Sequence, residues 1–295
     1  MSSEYQSLLP ATRQAAMSAA EALAPEQSVD EVRESLSVTE KGQPANTIGN
    51  CQTVFCHDPL LRDAIRLNLL TDRVDIVRDL GWRRNTSALT DTDVKYLLLY
   101  FEQNYGLTSE KKMTAALSIV ANENCYHPIQ DVLNGLVWDG TPRIRSCLHH
   151  FLGAEVSEYV EEMLKHFLLG AIRRVFSPGS KYEEMLCLVG GQGAGKSSFF
   201  RLLAIRDEWF SDDLKKLDDD RVFLKLQGHW IIEMSEMLAT SSAKSIEEIR
   251  SFISRQKETY RTPYEAQPKD RLRQCVFGGS SNTLDFLPLD RAGNR

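Results

Sequence analysis

No apolar run in the sequence approaches the ~20 residues that a helix needs to cross a bilayer. The first residues, MSSEYQSLLPATRQAAMSAAEALAPEQ, hold no basic stretch followed by an apolar core, which excludes a secretory leader. CxxC pairs are missing too. The six cysteines, at 51, 56, 125, 147, 187 and 275, are scattered and read as the reduced thiols of a cytoplasmic protein. Cys51, Cys56 and His57 lie close together, but two further ligands at metal-binding spacing are lacking. Positive charge is in deficit: 35 Lys and Arg against 41 Asp and Glu give a net charge of −6. That excludes a uniformly basic coat and leaves room only for a local basic face. Aromatics are almost absent from residues 1–50, where Ala, Ser, Glu and Gln dominate, and this stretch reads as a flexible N-terminal segment. No internal repeat is visible.

What is present is the composition of a soluble globular chain, 42% hydrophobic and 26% charged over 295 residues. That length suits one large domain or two ordinary ones. Residues 51–180 read as a helical N-terminal domain. Thr90 or Asp91 can cap a helix through VKYLLLYFEQNY that stops at Gly106. Ser109 can cap the next helix, whose Met113, Ala116, Leu117, Val120 and Ala121 fall on one face. A long amphipathic helix is predicted from Val156 to Phe176, ended by Ser177-Pro178-Gly179. After a boundary near 177–183 the texture changes. Short apolar runs (MLCLVG, GHWIIEM, CVFGGSS) alternate with helix-like stretches, so 181–295 reads as an α/β domain built on a mostly parallel, three-layer sheet.

Gly190, Gly195, Lys196 and Ser197 match G-x-x-x-x-G-K-[ST], placed between a strand-like and a helix-like run. The chemistry requires this arrangement. Glycines let backbone N–H groups curl around phosphate oxygens, and the following helix N-terminus adds partial positive charge. The loop Gly190, Gly191, Gln192, Gly193, Ala194, Gly195, Lys196, Ser197 and Ser198 is therefore expected to bind ATP. In it Lys196 would reach the β and γ phosphates and Ser197 would hold Mg²⁺. The acidic partner is sought in GHWIIEMSEM. Glu233, at the end of the apolar run, is expected near Mg²⁺. Glu236 either polarises the attacking water or is a solvated residue of the next segment. Asn282, at the end of the third run, either orients that water or caps a turn. Arg291 and Arg295 either reach the γ-phosphate of a neighbouring subunit or are solvated surface residues.

Between Glu233 and Asn282 the sequence RSFISRQKETYRTPYEAQPKDRLRQC interleaves positive charge with Tyr260 and Tyr264. In an acidic chain this local excess suits phosphate contact and base stacking. Lys257, Arg261, Lys269, Arg271 and Arg273 are the candidate nucleic-acid contacts; the alternative is a charged surface loop, or arginines that pair with a neighbouring subunit.

Taken together, WDGTPR (138–143), SPGSKYEEMLCLVGGQGAGKSS, the acidic pair after Trp209-Phe210, WIIEMSEM, KETYRTPYEAQPKDRLRQCVFGGSSN and DRAGNR resemble the virulence-associated E family. These are P-loop proteins of phages and mobile elements related to superfamily 3 helicases, and the resemblance runs over roughly residues 50–295. It implies an AAA+-like core and homo-oligomeric, ATP-driven work on DNA, mainly single-stranded, during replication. It makes Glu233 and Glu236 the Walker B pair and Asn282 the sensor. It makes 257–273 a DNA-touching hairpin and Arg291 or Arg295 the trans-acting arginine. The family pattern continues beyond Arg295, so the core is expected to be truncated at its C-terminus. The expectation is an ATPase acting on DNA, without a membrane. The competing expectation is an ATP-dependent regulatory switch that binds a protein partner and does not unwind DNA.

Overall fold

The computed structural model describes residues 27–214, 217, 222–235, 243–260 and 268–282. They divide into two compact units, one of the described residues up to 68 with 73–126, the other of 69–72 with the described residues from 127 on.

The first unit holds α1 (Val29–Ser35), α2 (Ile48–His57), the antiparallel pair β1 (Ile65–Asn68) and β2 (Arg73–Ile76), α3 (Asp91–Tyr105) and α4 (Glu110–Glu123). The helix Val29–Ser35 thus lies inside the stretch read as flexible. A capping box between Ser28 and Glu31 starts α1, and Val32 and Leu36 are buried in the core. Two apolar residues suffice to dock a short helix, and they were hidden in a polar composition. Thr90 is the cap of α3 through Asp93, and Gly106 ends that helix in the left-handed conformation, φ +68°. Ser109 makes no capping bond; its N–H donates to Asn46 Oδ1. The five predicted core residues of α4 are all buried. Asp58 is fully buried. It accepts the backbone N–H groups of Leu60 and Leu61 and the hydroxyls of Tyr100 and Tyr105, so its charge is met by four donors.

The second unit opens with α5 (Pro128–Asn134), α6 (Ile144–Leu152) and α7 (Glu158–Phe176). It continues through β3 (Met185–Val189), α8 (Lys196–Leu203), β4 (Phe210–Ser211), β5 (Ile231–Met234) and α9 (Ala243–Ile253). The antiparallel pair β6 (Lys257–Tyr260) and β7 (Lys269–Leu272) and then β8 (Val276–Ser281) complete the described part. The fold is mixed α/β, with a parallel four-stranded sheet in the order β3-β8-β5-β4. The two inner strands, β5 and β8, are buried along their whole length, and β3 at the sheet's edge only in part.

The units divide at Tyr126/His127, about fifty residues before the boundary read from the change of texture. The reason lies in α7. Its Leu164, Phe167, Ala171 and Val175 share a core with Phe199, Phe200, Trp230, Ile231 and Val276 of the sheet layer, so the helix belongs with the sheet. The buried stripe leaves out Tyr159, 71% exposed, and Met163, 39% exposed. Arg174 of α7 is fully buried and donates to the carbonyls of Cys275 and Tyr182, both at 2.7 Å.

One close approach fixes α8 on the sheet. A Cβ on Gly278 of β8 would lie 2.5 Å from the ring of Phe200. Gly278→Ala is therefore expected to cost about 1–3 kcal/mol of stability, the usual range for overpacking a core. Chemical denaturation checks this, and the Gly278→Ala/Phe200→Leu double variant should recover much of the loss.

Candidate functional site

The site forms where β3, β5 and β8 end. Between Val189 of β3 and Lys196 of α8 the chain turns through Gly193 (φ +80°) and Gly195 (φ +82°), conformations that favour glycine. The N–H of Gly190 donates to Ser281 O at 3.1 Å, which ties the loop to β8. The loop opens on a cavity of about 700 Å³ lined by residues 192–198, Ser235 and 280–282. Lys196 Nζ donates to Gly190 O (2.6 Å), Gly191 O (2.9 Å) and Asn282 Oδ1 (3.2 Å). All three acceptors are neutral dipoles, so the ammonium keeps its net charge beside the cavity.

Glu233 lies on β5, 1% exposed. Its Oε1 accepts two hydroxyls, Ser197 Oγ at 2.8 Å and Ser280 Oγ at 2.6 Å. Its Oε2 is buried with no donor among the described residues. The structure thus brings together Lys196, Ser197, Glu233 and Asn282 around one loop. Gln192, Gly193, Ala194, Gly195 and Ser198 line the cavity, while Gly190 and Gly191 hold the lysine. Glu236, Arg261, Arg291 and Arg295 lie outside the described residues. Sequence reading passed over Ser280. The available signal is its spacing: residues i and i+2 of a strand share a face, so Ser280 lies on the same face of β8 as Gly278, the register partner of Glu233.

Within the basic segment, Lys257–Tyr260 and Lys269–Leu272 form the β6–β7 pair, and four of its described cations are engaged internally. Lys257 pairs with Asp270 and holds that carboxyl below its usual range. Lys269 and Arg271 both pair with Asp72, at 2.7 and 3.2 Å. Arg271 also lies over the Tyr260 ring, 4.4 Å from its centroid. Arg273 is 3% exposed and pairs with Glu258. In this arrangement Arg273 holds the hairpin on α9 through Phe252 O, so its charge is engaged inside the fold. A second cavity, of about 460 Å³, lies beneath this hairpin. His127 and Gln274 on its wall are hydrogen-bonded to each other at 2.6 Å, and burial pushes the His127 pKa down. Among the described residues no group of three or more His, Cys, Asp or Glu is placed to hold a metal ion. No helix among them is long and apolar enough to cross a membrane.

The family model described as the virulence-associated protein E-like domain matches residues 133–295, more than half of the chain and all of the site. The chain belongs to the virulence-associated protein E-like family. The match starts in α5 and leaves 1–132 outside, whereas the motif resemblance ran from about residue 50. The virulence-associated protein E-like region thus contains the whole parallel sheet but not the first unit. No curated protein matches the chain. Among solved structures, the A-form apo structure of the NrS-1 C terminal region is similar with a TM-score of 0.43 at 14% identity, covering 74% of this chain and 53% of that one. Another apo structure of the same region gives 0.41 at 14% identity, covering 74% and 54%. The chain spans about half the length of these neighbours.

Proposed function

We propose that this protein binds ATP with Mg²⁺ at the 190–198 loop and hydrolyses it, and that hydrolysis serves work on DNA in the replication of a phage or mobile element. The observation that carries the reading is the convergence of Lys196, Ser197, Glu233 and Asn282 on one glycine loop. An AAA+-like, superfamily 3-like core is supported by the sheet order, in which the strand bearing Asn282 lies between the loop strand and the acidic strand. The donor set fits the ion. Ser197 Oγ and Glu233 would hold Mg²⁺, and the unpartnered Oε2 of Glu233 is a buried acceptor that a hydrated cation would satisfy. When bound, the ion neutralises charge on phosphate oxygens. Lys196 would exchange its neutral acceptors for phosphate oxygens. Asn282, released from the lysine, would orient the attacking water, with Glu233 or Glu236 to polarise it. Arg291 or Arg295 would complete the site of a neighbouring copy in a homo-oligomer.

A second reading is an ATP-dependent switch that binds a protein partner without unwinding DNA. The internal ion pairs of Lys257, Lys269, Arg271 and Arg273 favour it, because paired cations attract phosphate weakly. ATP turnover with and without single-stranded DNA separates the two. The motor reading expects DNA to raise wild-type turnover, and expects the Arg261→Ala/Lys269→Ala/Arg271→Ala variant to lose that stimulation. Turnover and DNA binding unchanged in the variant would sink the assignment of these residues, and a wild type indifferent to DNA supports the switch.

A further inference from the structure

We infer that Ser280 is the positioning residue that sets the orientation of Glu233, and thereby the affinity of the site for its divalent cation. The inference rests on the ATP·Mg²⁺ reading of the 190–198 loop. Its ground is a difference between two hydroxyls that share one carboxylate oxygen. Ser197 lies on the exposed glycine loop at the start of α8 and, in the ATP·Mg²⁺ reading, would serve the cation as well as Glu233. Ser280 is buried on β8, 6% exposed, and its only described side-chain hydrogen bond is the 2.6 Å donation to Glu233 Oε1.

The sheet makes that bond rigid. Glu233 is paired in register with Gly278, two residues before Ser280 on the same face of β8, so the hydroxyl reaches Oε1 from a fixed backbone. β8 is flanked on both sides by parallel strands, β3 and β5, so it has little freedom to shift. With Oε1 anchored by Ser280, rotation of the carboxylate is blocked and Oε2 is left without a donor. Without Ser280 the only described side-chain anchor of Glu233 is Ser197, on the loop that must adapt to the nucleotide. The same strand end holds Lys196 through Asn282. Ser280 and Asn282, two residues apart, therefore bracket the acidic and the basic arm of the site. A hydroxyl that donates to a buried carboxylate is a charge-assisted bond.

The test uses the full chain as wild type, Ser280→Ala, Ser280→Thr and Lys196→Ala. Three quantities are measured: binding of a fluorescent ATP analogue in EDTA, the Mg²⁺ concentration that half-saturates turnover, and the melting temperature. Ser280→Ala should bind the analogue in EDTA as wild type does yet need about tenfold more Mg²⁺, the scale set by one hydrogen bond to a charged group. Ser280→Thr, which keeps the hydroxyl, should restore the wild-type Mg²⁺ requirement. A merely structural serine would move the melting temperature and leave the Mg²⁺ requirement alone, which overturns the inference. A Thr variant as impaired as Ala overturns it too. If wild type binds the analogue no better than Lys196→Ala, the ATP reading itself falls and takes the inference with it. If wild type binds and Ser280→Ala has an unchanged Mg²⁺ requirement, only the role of Ser280 falls.

Discussion

Replacing Lys196 by alanine is expected to lower ATP turnover at least about a hundredfold, the cost of removing one preorganised charge from a site where negative charge develops. The size follows from how the ammonium is held. Among the described residues its acceptors are two loop carbonyls and the Asn282 amide oxygen, with no carboxylate among them. A lysine paired with a carboxylate would present little net field to a ligand. This one meets only neutral dipoles among the described residues, beside the cavity. Phosphate oxygens compete well with neutral dipoles for an ammonium, because a charge-assisted bond is roughly twice as strong. The variant should fold normally, since the side chain sits at the edge of an open loop and is absent from the hydrophobic cores. Unchanged circular dichroism with turnover at background is the expected pair of results. Wild-type turnover in the variant would contradict the assignment.

The second large effect is expected from Glu233→Gln. The amide is close in size and can still accept the hydroxyls of Ser197 and Ser280 through its oxygen, so the sheet should keep its packing. What is lost is the negative charge beside Ser197. In the proposed site a cation would then lose Glu233 as acidic ligand, and turnover should fall by about two orders of magnitude, comparable to loss of an electrostatic catalytic group. Nucleotide binding in EDTA should survive or improve, because a buried negative charge near the phosphates has been removed. This split, binding kept without metal and turnover lost with it, is the signature to look for. A variant that hydrolyses ATP as wild type does would shift the acidic role to Glu236.

The glycine loop and the sheet are legible in the sequence because both leave local marks. A buried parallel strand is an unbroken apolar run, and a loop that wraps phosphate needs glycines and a lysine at fixed spacing. Lys196, Ser197, Glu233 and Asn282 could therefore be named as one site before any distance was known. Ser280 could not, because its bond to Glu233 crosses 47 residues of chain and depends on the register of β5 against β8. The domain boundary was misplaced for a related reason. Composition changes at 177–183, but the allegiance of α7 is decided by what its apolar stripe packs against, and that is the sheet. The hairpin shows the same limit from the other side. Its arginines and lysines announce charge, while the carboxylates that answer it come from Asp72, Glu258 and Asp270, the first of them almost two hundred residues away from Lys269. A basic segment in sequence is a statement about composition; whether the charge is free depends on the fold.

The central claim is that the 190–198 loop binds the phosphates of ATP. Equilibrium titration of the full chain with ATP and Mg²⁺, beside the Lys196→Ala variant, tests it most directly. The account predicts saturable binding of one ATP per chain, competed by ADP and weakened at least about tenfold in the variant, as expected for loss of one bond to a charged group. Absence of binding by the wild type, or equal binding by both proteins, would contradict it.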